Sequence, residues 1–371
     1  MLFKALKFIG ITIVCLIVSA LISALSYRKY LQHTVAEHRA IHLPNGISTL
    51  DPVRIGGIEQ WIEVRGQNVN NPILLFIHGG PGIAFIPLSG EFQGPWEKYF
   101  TVVQWDQRGA GKTYSSNGRE LQRRGMNIPQ MEQDSLDVVN YLCTRFKRDK
   151  LFVVGHSWGS ILGLWLAHEH PERIYAYVGV GQFINGAHNE EVAYQDALQQ
   201  ARRSHNEQAL KDLASISPYP ASSADFRKSS IARHWESVLL GPPSGAVEFT
   251  NVGRILSDVA SAPEYSLADD LGFVRGQMFS LNVFFSQLPT VTLDQLGRDF
   301  REPIFFFEGS QDPYCRPSVI LEYSRTITAP GKGYVAFQNS GHFPFFDKQQ
   351  EFTDELVQRV LPFANDHPPT D

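Results

Sequence analysis

The feature that most constrains the fold is a five-residue turn, Gly-His-Ser-Trp-Gly, at residues 155–159. It follows an apolar run at 151–154, typical of a buried strand, and precedes an apolar run at 160–167 that favours a helix. A turn this tight crowds the backbone on both sides of Ser157, and glycine stands two residues away in each direction. The pattern predicts a strand, a sharp turn and a helix. It also predicts that the Ser157 hydroxyl is exposed at the helix N-terminus, where the helix dipole favours developing negative charge.

A serine hydroxyl needs a general base and an orienting carboxylate before it can act as a nucleophile. In chains built on such a turn, the acid and then the histidine follow the serine. Asp312 follows the apolar run at 304–307, and His342 follows a short apolar run at 334–337. Both residues stand just past the carboxyl end of a predicted strand, where sites form in open α/β sheets. We therefore predict a catalytic triad of Ser157, Asp312 and His342.

Other residues compete for these roles. Glu308 and Asp299 are alternative acids, but Asp312 lies deeper in the loop and nearer the end of the sheet that carries the serine. Asp312 also precedes Pro313, so an ordinary turn residue is the alternative interpretation. Among the 12 histidines, His156 lies inside the turn itself and points the wrong way to act as a base on its own neighbour.

A second glycine-rich loop, His-Gly-Gly-Pro-Gly at residues 78–82, follows the continuous apolar run at 72–77. Such a run is typical of a strand that is buried on both faces. Glycines in the following loop let main-chain N–H groups approach a ligand closely. We predict that the backbone N–H groups of Gly80 and Trp158 form an oxyanion hole.

Three segments in this order resemble the prolyl iminopeptidase family of α/β-hydrolases: residues 78–82, Trp-Asp-Gln-Arg-Gly-Ala-Gly at 105–111, and 155–160. The similarity covers nearly all of the chain after about residue 55. It implies a serine peptidase that releases an N-terminal residue, often proline, from short peptides, with a helical cap over the sheet. It implies no metal and no other cofactor. Asp106 and Arg108 resemble the structural pair of the family, which holds the loop below the site.

A long segment separates the predicted strands at 175–178 and 304–307. At about 120 residues with helical patterns it is far too long for a plain loop, so we expect a helical cap. An aminopeptidase has to recognise a free ammonium group, and a partly desolvated carboxylate does this. The candidate substrate-binding residues are Glu236, in a segment that resembles the Trp-Glu of the family, and Glu264. A solvated position on a helix or loop is the alternative for both.

The N-terminal segment at residues 8–25 is apolar and carries no charge. It is just long enough to cross about 30 Å of hydrocarbon. Lys4 and Lys7 precede it and Arg28 and Lys29 follow it, so the charges on its flanks do not determine an orientation. We predict an uncleaved single-pass membrane anchor that contacts the lipid bilayer. The alternative is a protein that is secreted or periplasmic after cleavage of a signal peptide.

Composition fits one large α/β domain behind that segment. The net charge of −5 argues against nucleic acid as a partner, and three cysteines are too few for a disulfide framework. Alternating strands and helices predict a mostly parallel sheet flanked by helices. We predict six segments in order: an anchor or signal segment at residues 1–27, a linker at 28–50, the first part of the core at 51–182, the cap at 183–300, the second part of the core at 301–365 and a tail at 366–371.

The predicted function is a serine hydrolase that releases N-terminal proline or a small apolar residue from short peptides through an acyl-enzyme on Ser157. An esterase or amidase that uses the same triad on small apolar substrates is the alternative, because a fold does not determine its substrate. A non-catalytic binding protein would not need the triad and both glycine loops together. The hydrolases that use an aspartate nucleophile are disfavoured because a serine stands at the apex of the turn.

Overall fold

A single mixed sheet forms the centre of the protein. The computed structural model describes residues 2–220, 226–240 and 251–364. The strands among these residues are β1 (Ile47–Ile55), β2 (Ile58–Gly66), β3 (Ile73–Ile77), β4 (Thr101–Asp106), β5 (Leu151–His156), β6 (Ile174–Val180), β7 (Ile304–Gly309) and β8 (Lys332–Phe337). They lie in the order β1-β2-β4-β3-β5-β6-β7-β8. The pairs β1–β2 and β2–β4 are antiparallel, and the other neighbours are parallel.

Helices cover both faces of this sheet. Those in the described part of the chain are α1 (Leu2–His38), α2 (Gly111–Arg124), α3 (Ile128–Phe146), α4 (Trp158–Glu169), α5 (Gly186–Arg203), α6 (Glu207–Ser215), α7 (Phe226–Leu240), α8 (Val252–Ser261), α9 (Leu267–Phe284), α10 (Pro317–Thr326), α11 (Pro344–Asp347) and α12 (Gln349–Glu355). The central strands β3 and β5 are buried along their whole length, because helices pack on both of their faces. The predicted fold class, a mostly parallel sheet flanked by helices, is confirmed.

The helices α5 to α9 lie between β6 and β7, within the segment predicted to be the cap. Several of them begin at side-chain caps, which is why the chain folds into separate short helices here. Asn185 and Asn206 accept the N–H groups of His188 and Ala209, and Ser266 forms a capping box with Asp269. The first three of these helices share a small apolar core of their own, around Tyr194, Leu213 and Trp235.

The segment predicted as a linker, residues 28–50, is largely regular structure. The helix α1 continues to His38 because neither glycine nor proline occurs between Arg28 and His38, and its last turns pack against the cap. The strand β1 then begins at Ile47. Pro52 obscured this strand in the sequence, and the proline is tolerated because β1 lies at the edge of the sheet. The predicted tail at 366–371 lies outside the described residues.

The N-terminal part of α1 projects away from the rest of the protein. A stretch of 18 residues in α1 has a mean hydropathy of 2.7, and none of that stretch is buried. Within the described residues, α1 is the one helix long and apolar enough to cross a membrane. A helix of this kind at the N-terminus is typical of a membrane span or of a signal sequence.

Candidate active site

The turn between β5 and α4 places Ser157 in a strained conformation. Its φ of 52° and ψ of −119° lie where non-glycine residues rarely occur. A Cβ on Gly159 would lie 2.0 Å from the carbonyl oxygen of Ile77, and one on Gly155 would lie 2.8 Å from that of Gly159. The Ser157 N–H donates to the carbonyl of Val180 at 2.9 Å. The two glycines therefore let the strand and the helix meet closely enough to hold the serine at the apex.

The structure brings Asp312 and His342 into direct contact. Oδ2 of Asp312 lies 2.7 Å from Nδ1 of His342, and both side chains are buried. The other carboxylate oxygen, Oδ1, accepts the N–H groups of Tyr314 and Cys315 at 2.7 and 2.9 Å. Because the carboxylate accepts, the imidazole carries its proton on Nδ1, which leaves Nε2 as the basic nitrogen. His342 and Ser157 line the same cavity.

Two neighbours that sequence reasoning missed hold the histidine in place. Nε2 of His156 lies 2.9 Å from the carbonyl oxygen of His342, so His156 donates this hydrogen bond. Burial lowers the pKa of His156 well below its usual range, which keeps the ring neutral. A Cβ on Gly181 would lie 2.8 Å from Nδ1 of His342 and 3.2 Å from Oδ2 of Asp312. No sequence pattern indicated that Gly181 packs against this pair.

The competing carboxyl, Glu308, lies at the end of β7 and is fully buried. It accepts the N–H of Gln182 at 3.1 Å. Burial raises the pKa of Glu308 well above its usual range, and the nearby charge of Asp312 raises it further. Burial therefore favours the neutral form of Glu308, which supports the loop after β6, and it is Asp312 that contacts the histidine.

The two residues predicted to supply main-chain donors, Gly80 and Trp158, lie in the loop after β3 and at the start of α4. Gly80 has a φ of +124°, and a Cβ there would lie 2.6 and 2.7 Å from the nitrogens of Gly82 and Ile83. The N–H of Trp158 belongs to the first turn of α4, where main-chain donors have no acceptor within the helix. Gly80, Trp158 and Ser157 all line the same cavity. Both predicted donors therefore lie beside Ser157 at one cavity.

Gln107 connects the two glycine-rich loops. Its side-chain amide donates to the carbonyl of His78 at 2.8 Å, and its Oε1 accepts the indole N–H of Trp158 at 3.1 Å. The position of Gln107 within the segment at 105–111 was visible in the sequence, but its bridging role was not.

Asp106 and Arg108, which resemble the structural pair of the family, bind different parts of the protein. Arg108 donates to Asp134 at 2.7 Å. Asp106 instead accepts the N–H of Lys112 at 2.8 Å and the hydroxyl of Tyr265. Arg108 thus binds α3, whereas Asp106, the last residue of β4, contacts the cap. Burial raises the pKa of Asp106 to about 7.

The cavity beside Ser157 has a volume of about 410 Å³, within the usual range for small-molecule sites. Both the sheet loops and the cap contribute to it. Most of its walls are apolar and include Ile83, Phe85, Phe183, Ile255, Leu288 and Phe343. Among the described residues, no group of three histidine, cysteine, aspartate or glutamate side chains is arranged to hold a metal ion.

A charged cluster in the cap adjoins this cavity. Arg233 lines the cavity and pairs with Glu190, which also accepts the hydroxyl of Tyr219. Glu236 lies one helical turn from Arg233 on α7 and is buried, and its Oε1 has no hydrogen-bond partner in the part of the chain that the structure describes. Burial raises the pKa of Glu236 to about 6, although the charge of Arg233 opposes the shift. Sequence reasoning missed Glu190 and Arg233, because only the tertiary fold brings α5 and α7 together.

Glu264 has a different environment from the one we expected. It pairs with Arg39 at 2.9 Å and is not among the residues that line the cavity beside Ser157. Arg39 also approaches Glu63 at 3.4 Å. Glu264 thus links the segment after α1 to the cap, a contact between residues 225 positions apart that no local pattern indicates.

Comparisons with known proteins agree with this architecture. Residues 72–349 match the family described as alpha/beta hydrolase fold. "Probable aminopeptidase YbaC" from Bacillus subtilis (strain 168) is 30% identical over 318 residues, which cover 85% of this chain and 96% of YbaC. The proline iminopeptidase of Mycobacterium smegmatis shares the fold at a TM-score of 0.58 and 16% identity, over 86% of this chain and 99% of its own.

A bacterial membrane phospholipase A, described as a virulence factor, also shares the fold. It superimposes at a TM-score of 0.60 and 16% identity over 97% of this chain and 99% of its own. The family match extends from β3 to β8, and the similarity to YbaC covers most of both chains. The chain therefore belongs to the α/β-hydrolase family and is a hydrolase of the prolyl iminopeptidase type.

Proposed function

We propose that the protein is a serine aminopeptidase that releases N-terminal proline or a small apolar residue from short peptides. The observation that carries the proposal is the 2.7 Å contact between Asp312 and His342, in a cavity that also holds the strained Ser157. A nucleophile, a base and an orienting acid at the ends of three strands are what acyl transfer requires. The similarity to YbaC along most of both chains supports the choice of an aminopeptidase.

In the proposed reaction, Nε2 of His342 takes the hydroxyl proton of Ser157 as Oγ attacks the carbonyl carbon of the first residue. The N–H groups of Gly80 and Trp158 stabilise the oxyanion of the tetrahedral intermediate. The bond to the leaving nitrogen then breaks, and the imidazolium gives the nitrogen its proton, so an acyl-enzyme and a shortened peptide result. Water repeats these steps on the acyl-enzyme and frees both the amino acid and Ser157.

Recognition of the free amine is assigned to Glu236. The charges of Arg233 and Glu190 neutralise each other through their ion pair, whereas Glu236 keeps a buried oxygen that lacks a partner among the described residues. A buried acceptor of this kind favours a ligand that brings a charged donor. The apolar walls of the cavity suit proline or a small apolar side chain. Glu264 is not included, since Arg39 already neutralises it.

An esterase or amidase is the second candidate, and a specific observation favours it. The cavity walls are mostly apolar, and Glu236 is not itself among the lining residues. The fold shared with a membrane phospholipase A over 97% of this chain extends to the N-terminal helix and is consistent with ester substrates. For localisation, we propose that α1 spans the membrane once. A secreted or periplasmic protein after signal cleavage remains the alternative.

A substrate panel tests the proposal. We expect kcat/KM for proline or alanine arylamides to exceed that for the N-acetylated arylamides by about 100-fold or more, since acetylation removes the charge that Glu236 would bind. Ser157→Ala is the matched control and should abolish turnover of every substrate. Equal rates with and without the free amine, together with faster hydrolysis of short-chain esters, would support the esterase instead.

A further inference from the structure

The last turns of α1 are attached directly to the cap. The guanidinium of Arg28 donates to Asp270, with one contact at 3.0 Å, and to the carbonyl of Tyr265 at 3.0 Å. One turn later, the buried amide of Gln32 donates to the carbonyls of Ala262 and Tyr265 at 2.8 and 2.9 Å. The start of α9 and the loop before it are therefore fixed to the N-terminal helix by both an ion pair and main-chain contacts.

This attachment lies very close to the apolar segment of α1. The uncharged run ends at Leu25, and Arg28 follows three residues later, about 4.5 Å along the helix. The headgroup region on each side of a bilayer is about 5–7 Å deep. If α1 spans the membrane, the pair formed by Arg28 and Asp270 lies within the headgroup region. The part of the cap that carries Asp270 then lies against the surface of the bilayer.

An exposed apolar surface begins beside this pair. Leu267, Leu271, Val274 and Met278 follow one another at helical spacing on α9, and each is between 39% and 67% exposed. We call these four residues the α9 stripe. The opposite face of α9 carries Gly272, Gly276 and Ser280, and it packs closely against the region of α2. Single exposed apolar residues need no explanation, but a continuous helical stripe of them indicates a contact surface.

The part of α1 that follows its apolar segment has the composition of a membrane interface. Tyr27 and Tyr30 are exposed, and their rings stack with centroids 6.5 Å apart. Tyrosine is enriched at the headgroup level, where its ring contacts apolar chains and its hydroxyl contacts water. Both tyrosines flank Arg28, so aromatic rings, the ion pair and the start of the α9 stripe occur at the same level of the helix.

We propose that the α9 stripe lies on the surface of the bilayer that α1 spans, with its four side chains at the boundary between headgroups and acyl chains. The partner is lipid because the stripe begins within one turn of a residue that the span holds at headgroup depth. This inference rests on the proposed membrane span and does not depend on the proposed substrate. At the other end of α9, the ring of Phe284 lies 4.5 Å from that of Trp158. The contact of the α9 stripe with lipid thus holds the catalytic cavity within the length of α9, about 27 Å, of the membrane.

The depth of single labelled cysteines tests this proposal in the full chain, reconstituted as one copy per lipid nanodisc. Cys15 lies in the apolar part of α1 and is a natural reference for the span, whereas Cys143 and Cys315 are buried. An environment-sensitive fluorophore is attached to Cys15 in the natural chain. In a Cys15→Ser background it is attached instead to Leu271→Cys or Met278→Cys. The matched control is Glu322→Cys, at an exposed site on α10.

Two quenchers then separate the outcomes, iodide in the water and a lipid with a spin label on its acyl chain. We expect quenching by iodide at positions 271 and 278 to be about threefold weaker than at 322, and quenching by the lipid label to be correspondingly stronger. Iodide quenching equal to that at 322, with Cys15 still buried in lipid, would overturn the proposal. Protection from iodide without quenching by lipid would also overturn it, in favour of a protein contact. Exposure of Cys15 to iodide would overturn the span and the stripe together, without bearing on the reaction.

Discussion

His156, the residue immediately before the nucleophile, donates a hydrogen bond of 2.9 Å to the main-chain carbonyl of His342, the proposed base. The turn that presents Ser157 therefore also fixes the loop that carries the base. Since burial keeps the ring of His156 neutral, this hydrogen bond does not change with pH in the working range. The link explains how two loops 186 residues apart in sequence keep a shared geometry.

Replacing this histidine should slow the reaction without changing substrate binding. We expect His156→Ala to lower kcat by about 10- to 100-fold with little change in KM, because small displacements of a base have large effects on rate. Steady-state kinetics on an aminoacyl arylamide, with thermal unfolding to check the fold, measure this. Wild-type kcat in a folded variant would show that the hydrogen bond does not position His342.

The pH dependence of KM tests the role of Glu236, whose pKa is raised to about 6 by burial. A carboxyl binds an ammonium group only when it is ionised, so KM for substrates with a free amine should rise as the pH falls through about 6. KM for neutral esters should not follow this trend, and the ratio of the two values removes any effect of the shared triad. The matched variant Glu236→Gln should make the ratio independent of pH. A ratio that is already flat in the wild type would remove Glu236 from amine recognition.

Arg39 is expected to contribute strongly to stability. It pairs with Glu264 and approaches Glu63, both largely buried, and burial raises the pKa of Glu63 to about 8 even with Arg39 present. Arg39→Met should therefore reduce the free energy of unfolding by about 3 kcal/mol. Arg359→Met is the matched control. Arg359 is exposed and pairs with the partly exposed Glu355 four residues earlier, so we expect a loss of only about 0.5 kcal/mol or less. Equal losses in the two variants, measured by denaturant unfolding in detergent, would contradict this assignment.

The contact between Tyr265 and Asp106 joins the cap to the core. Burial raises the pKa of Asp106 to about 7, and the hydroxyl of Tyr265 opposes this shift because it donates a hydrogen bond to the ionised form. Removing the hydroxyl should therefore cost more stability when Asp106 is ionised than when it is protonated. We expect Tyr265→Phe to lose about 1–3 kcal/mol at a pH above 8 and less near pH 5.5. Unfolding at the two pH values measures the difference, and an identical loss at both would argue that Asp106 does not titrate against this contact.

How far the sequence predicts this site depends on how local each cause is. The turn around Ser157 was predictable because its steric demands lie within five residues, as the 2.0 Å approach that a Cβ on Gly159 would make shows. Asp312 and His342 were predictable as a pair from their positions after strands, because parallel strands bring their carboxyl ends to one edge of the sheet. Their contact of 2.7 Å follows from that topology.

Features that depend on packing between distant elements were not predictable. The pairing of Glu190 with Arg233 requires α5 and α7 to meet, and the pairing of Glu264 with Arg39 requires α1 to dock on the cap. The resemblance identified Asp106 and Arg108 as structural residues but not their partners, since Asp134 and Tyr265 lie far from them in the sequence. The strand β1 was missed because Pro52 is unfavourable in a strand unless it lies at an edge.

The most direct test of the account is to locate the adduct of a fluorophosphonate probe by mass spectrometry of the full chain. Such a probe reacts with a serine only where a base activates the hydroxyl and donors hold the oxyanion. The account predicts a single adduct on Ser157 that is lost in Ser157→Ala and strongly reduced in His342→Ala. Labelling of another residue, or undiminished labelling and hydrolysis in Ser157→Ala, would contradict it.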